Sequence, residues 1–168
     1  MLRQGALFAL FMAFLSALAA YQAYAEMRGA RTLYRAAGRV TFARTDVRIY
    51  GTKFAVFSEE REFHLDHLPI LFEYQSRWPD FRRIERAIRD GAELTVLYGN
   101  CHPIIKTRAC NAYGIETGAG QTLATVDEVV DAERSLLIFW SMIATILLLI
   151  SAGCIFAYLR ATMPLSDT

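Results

Sequence analysis

Leu136 to Leu159, LLIFWSMIATILLLISAGCIFAYL, runs for 24 positions without a charged residue. At ~1.5 Å per residue such a segment spans a hydrocarbon core of ~30 Å with length to spare for tilt. Lipid offers peptide groups no hydrogen-bond partner, so the segment has to be helical. This places a transmembrane helix over 136–159, and the rest of the chain is read outward from it.

A second uncharged run lies at the other end, Gly5 to Ala25, GALFALFMAFLSALAAYQAYA, behind the basic Arg3. Two readings fit it. Ala23-Tyr24-Ala25 before Glu26 has the small-residue pattern of a signal-peptide cleavage site. The run is also long for a signal core, and Ala9, Ala13 and Ala17 recur at intervals of four with Ser16 and Ala20 beside them. This favours a retained transmembrane helix or signal anchor over 5–25. Small residues let membrane helices approach closely, and an antiparallel hairpin would set Ala9 and Ala13 at the depth of Gly153 and Ala157.

Residues 26–134 remain between the runs, enough for one small domain with its own core. The chain has 168 residues and a formal net charge of +1. Such a balance gives no electrostatic footprint for nucleic acid.

Next to the membrane, EMRGARTLYRAA (Glu26–Ala37) reads as a helical extension with Arg28, Arg31 and Arg35 on one face. Thr125-Val126-Asp127-Glu128 has the S/T-x-x-E form of a capping box, which starts a helix that runs on into the membrane. Side by side, the arginines of one extension would meet Asp127, Asp131 and Glu133 of the other in a salt-bridged clasp. The alternative for the arginine face is lipid headgroups or a partner protein.

Inside the domain, Arg39–Ala43 and Asp46–Tyr50 alternate apolar with polar residues and read as short strands. Gly51-Thr52 would turn the second of these into Lys53–Phe57. Phe63–Tyr74 is apolar but interrupted by Pro69, and reads as extended chain with a bend. Ser76-Arg77-Trp78-Pro79 opens a helix with Phe81, Ile84 and Ile88 on its apolar face. Glu93–Tyr98 is the clearest strand, and Ala112–Thr117 with Gln121–Thr125 flank a glycine-rich hairpin turn. The fold class expected is therefore a two-helix transmembrane hairpin with an inserted α+β domain, a mostly antiparallel small sheet or partly open barrel plus one helix. Trp78, Phe72, Tyr74 and Phe81 cluster around the helix start, where core packing is the plainer reading and a ligand groove or partner site the alternative.

The hairpin YGTKFAVF, the glycine-led strand DGAELTVLY (90–98) with Pro103 beyond it, and a membrane helix at each end resemble bacterial two-pass membrane proteins of unknown function. These carry a small β-rich domain between their helices. Their strand ends in a tyrosine and an Asp-Pro or Asn-Pro step, where this chain has Gly99-Asn100-Cys101-His102-Pro103. The resemblance implies an envelope protein and no established activity, cofactor or site.

Candidate chemistry is sparse. Cys101 and Cys110 bracket a loop of hairpin length and would form a disulfide in an oxidising compartment, or remain free thiols in a reducing one. Cys154 lies within the membrane helix as an apolar side chain. His64, Asp66, His67 and His102 are the candidates for a zinc site, which needs three or four such groups converging at ~2.0–2.2 Å. In a strand His64 and Asp66 share a face and His67 points away, so surface histidines are the plainer reading. No nucleophile elbow, phosphate loop or dinucleotide fingerprint is present, and no cofactor is implied. The functional expectation is a non-enzymatic, membrane-anchored envelope protein whose domain binds or scaffolds another membrane or periplasmic protein. The alternative is a metal- or thiol-dependent membrane enzyme. Local arginine counts favour a cytoplasmic domain, but loops beyond ~60 residues translocate regardless of charge. The signal-like first segment and the cysteine pair place the domain on the periplasmic side of a bacterial inner membrane and both termini in the cytoplasm.

Overall fold

The computed structural model describes residues 2–50, 56–104 and 107–162. The order of elements is α1 (Leu2–Gly29), β1 (Tyr34–Tyr50), β2 (Val56–Leu65), β3 (Ile70–Gln75), α2 (Phe81–Arg89), β4 (Glu93–Ile104), β5 (Thr107–Thr117), β6 (Thr122–Ala124) and α3 (Val126–Thr162). The chain divides into two units. One holds Met1–Ala25 with Arg134–Thr168, the other Glu26–Glu133.

In the first unit both helices are long and apolar enough to cross a membrane, with mean hydropathy 1.8 for α1 and 2.4 for α3. Neither is the core helix of a globule. Leu7, Phe8, Phe11 and Phe14 of α1 and Ile138, Met142, Ile146 and Leu149 of α3 are exposed, and only 11% of the apolar window of α3 is buried. The faces that do pack are lined by small residues: Ala6, Ala9, Ala13 and Ser16 on α1, Ala144 and Ser151 on α3. Ser151 Oγ donates to the carbonyl of Ala6 at 3.2 Å. Gly153 and Ala157 are exposed and lie off this seam, a correction to the expected pairing. At ~100° per residue Gly153 points well away from the stripe of Ala144 and Ser151, which stand seven residues apart.

The second unit is a β-barrel. Its sheet has the order β3-β2-β1-β4-β5-β6, and a further parallel pairing of β3 with β5 closes five strands into a ring. All other pairings are antiparallel. With a helix between β3 and β4, the architecture is that of a small five-stranded Greek-key barrel. Closure leaves those strands few free edges. Phe63, Leu65, Phe72, Tyr74, Leu94, Val96 and Ile115 form its core, and Ile84 and Ile88 of α2 and Val129 of α3 join them.

Three local expectations change. The helix does not run to Ala37. It ends at Gly29, and Tyr34–Arg39 pairs with Glu93–Tyr98 of β4, burying Ala36. Nor are 39–43 and 46–50 separate strands, because β1 pairs straight through Asp46 with β2. The bend expected at Pro69 is the turn between β2 and β3, where His67 takes φ 65°. The helix expected from Ser76 begins at Phe81, after Asp80 in the left-handed region. The Gly51-Thr52 turn lies outside the described residues.

Candidate functional site

Two buried carboxylates of the domain unit, Glu26 and Glu133, each gather polar partners. Glu26, in the last turn of α1, is 8% exposed. Its Oε2 accepts hydrogen bonds from Asn100 Nδ2 at 3.0 Å, from Asn111 Nδ2, and from Tyr113 Oη at 2.9 Å. The backbone explains how these groups reach it. The β4–β5 register slips between Gly99 and His102, and Asn100 sits in the slip with φ 47°, a conformation asparagine tolerates better than most residues. Gly99 and Gly29 permit the approach: a Cβ at Gly99 would stand 2.7 Å from the carbonyl oxygen of Gly29, and one at Gly29 would stand 2.5 Å from Tyr113 Oη. Burial first, and then the charge of Glu26, pushes the Tyr113 hydroxyl far above its ordinary range, so it stays a protonated donor.

Glu133, in the second turn of α3, is 1% exposed. Its Oε1 accepts from Trp78 Nε1 at 2.7 Å and from Arg77 Nε at 2.9 Å. Burial raises its pKa above the ordinary 4.5, with Arg77 pulling the other way. Trp78 in turn packs against Tyr74 and Tyr113. The clasp expected between Arg28, Arg31 and Arg35 and the acidic helix is therefore not what the domain builds. Glu133 takes Arg77 and Trp78, Arg35 lies on β1 rather than on a helix, and the three arginines make no ion pair among the described residues. Asp127 is exposed, and so is Asp131, which has its own partner.

A third acidic set lies on the barrel. Glu60, Glu62 and Glu73 are each 1–2% exposed. Glu62 stands opposite Glu73 in the register and pairs with Arg44, while Glu73 stands opposite Asn111. His102 Nε2 approaches Glu73 Oε1 to 4.0 Å. No motif in the sequence singles out these three glutamates.

The four metal candidates are dispersed. His64 Nδ1 lies 2.7 Å from the carbonyl of Ile70, and Asp66 Oδ1 accepts the amide of Arg39 at 2.6 Å. His67 is exposed, 3.7 Å from Asp66, and His102 is on β4 near Glu73. Among the described residues no three His, Cys, Asp or Glu side chains converge as a metal site. His64 instead lines, with Phe42, Leu68 and Pro69, an open groove of about 660 Å³. Cys101 and Cys110 are joined as a disulfide with Cα atoms 4.1 Å apart, which pins β4 to β5 beside the slipped register. Cys154 is a free thiol in α3. No family model matches the chain, and no curated protein or solved structure matches it.

Proposed function

We propose that the chain is a membrane-anchored, non-enzymatic envelope protein that presents its barrel as a binding or scaffolding module for another membrane or periplasmic protein. The observation that carries this reading is the exposure of large apolar side chains along α1 and α3. A water-soluble monomer rarely exposes contiguous apolar patches of more than a few hundred Å², and lipid is the solvent that suits them. The disulfide supports an oxidising compartment for the domain, hence the periplasmic side of a bacterial inner membrane with both termini cytoplasmic. The buried polar groups support a structural role, because Glu26 and Glu133 bind side chains of their own domain.

The test combines alkaline extraction of membranes with labelling of intact cells by an impermeant maleimide. The expected result is a chain that resists extraction and whose Cys101 and Cys110 are labelled only after reduction. Labelling after lysis without reductant would put the domain in a reducing compartment and overturn the sidedness. Release by alkali would overturn the anchor.

A further inference from the structure

Residues 26–33, where the domain unit begins, carry two arginines that nothing else answers. Arg28 and Arg31 are exposed and make no side-chain hydrogen bond or ion pair among the described residues. They share one turn, the amide of Arg31 donating to the carbonyl of Arg28 at 3.1 Å. The helix dipole accounts for a cation at Arg28, in the last turn of α1. It does not account for Arg31, which lies past the helix end at Gly29.

Their depth along α1 identifies what they face. Exposed Leu7, Phe8, Phe11, Phe14 and Leu18 are followed by Tyr21 and Tyr24, 69% and 44% exposed. Tyrosines of this kind settle at the boundary between hydrocarbon and headgroups. From Leu7 to Tyr24 the helix rises ~26 Å, close to a hydrocarbon core, and Arg28 stands ~6 Å further, within the ~5–7 Å headgroup layer. Phosphate is the anion at that depth, and a guanidinium binds it in a planar two-point geometry.

We infer that Arg28 and Arg31 together bind the phosphate of an anionic lipid headgroup at the end of the first span. The inference rests on the membrane reading above and names the lipid class that this site selects. It gives the arginines a partner that the protein itself withholds.

The test uses the full chain in nanodiscs of phosphatidylcholine with a minor share of phosphatidylglycerol, and counts the lipids retained on the protein by native mass spectrometry. The wild type is expected to retain phosphatidylglycerol in excess over its share. R28Q/R31Q is expected to lose that excess by about fivefold for each arginine removed. R28K/R31K keeps the charge but loses the two-point geometry and should keep only part of the excess, while R82Q/R86Q, which removes two exposed cations from α2, should leave it intact. High salt should erase the excess, because the screening length falls to ~3 Å at 1 M. Equal retention by wild type and R28Q/R31Q overturns the inference. An equal loss in R82Q/R86Q also overturns it, by showing a response to overall charge. A wild type that embeds without any excess refutes the lipid site alone. A chain that fails to embed refutes the membrane reading, and the site falls with it.

Discussion

Replacing Glu133 tests whether a buried carboxylate organises the junction between the start of α3 and the barrel. Its Oε1 serves two donors, and Trp78, only 2% exposed, has no route to water for its N–H. In E133L that N–H is left buried without an acceptor, at a cost of ~1–3 kcal/mol. The guanidinium of Arg77 also loses its counter-charge, but its side chain is 25% exposed and can turn toward solvent, so its share falls below that of a fully buried pair. Together these give ~3 kcal/mol, or a Tm lower by ~12 °C for a domain of this size. E133Q keeps an acceptor for Trp78 and removes the buried charge, so its cost is ~1 kcal/mol or less. The two can be compared by near-UV circular dichroism melts of the full chain in detergent. The pH dependence has a definite sign. Burial raises the Glu133 pKa above 4.5, so its stabilising contribution is full below 4.5 and is lost as pH rises through the folded-state value. The advantage of wild type over E133Q should therefore shrink as pH climbs through that window. Equal melts for E133L and E133Q, or an advantage that grows with pH, would refute the reasoning.

E26A should destabilise the domain by ~3 kcal/mol, because Asn100, Asn111 and Tyr113 all lose their acceptor, while E26Q should cost about a third of that in the same melts. C101S/C110S removes a bridge across a sequence separation of 9 and should cost ~2–3 kcal/mol, with reductant lowering the Tm of wild type but not of the double variant. T125A should cost ~1 kcal/mol, since its hydroxyl accepts the amide of Glu128 at 3.2 Å. Hydrogen bonds from Thr125 hold the Glu128 carboxyl below its ordinary 4.5, so its contribution is present above 4.5 and is lost as pH falls through the lowered value. An acid titration of stability should show this limb in wild type and not in E128Q.

Where the sequence announces structure, it does so through local contrast. The charge-free run of α3, the capping box in which Thr125 and Glu128 bond each other's backbone, and the Ile84–Ile88 face of α2 all depend on residues within a turn or two of one another. Arg28, Arg31 and Arg35 satisfy a helical spacing, yet Ala36, Gly38 and Val40 satisfy a strand equally well. The choice is made by pairing with β4, far along the chain. The same holds for the parallel contact of Ile70–Glu73 with Arg108–Asn111, which turns a sheet into a barrel and has no local trace. Long-range pairing overrides weak local preference wherever the local pattern is ambiguous.

The buried acids are legible in a different way. Val126, Val129 and Glu133 stand three and four apart, so Glu133 falls on the stripe of α3 that the core covers, and a carboxylate there has to find donors. Glu26 likewise continues the buried series Ala13, Ser16, Ala20 and Ala23 along α1, at intervals of three and four. The donors themselves leave no such trace. Asn100 and Asn111 face Glu26 beside a slipped β4–β5 register, and Arg77 and Trp78 reach Glu133 across sequence separations of 56 and 55. Both acids are thus held by side chains that other elements of the domain supply. An acid on a buried stripe is a signal that a sequence can show, while the identity of its partner belongs to the tertiary fold.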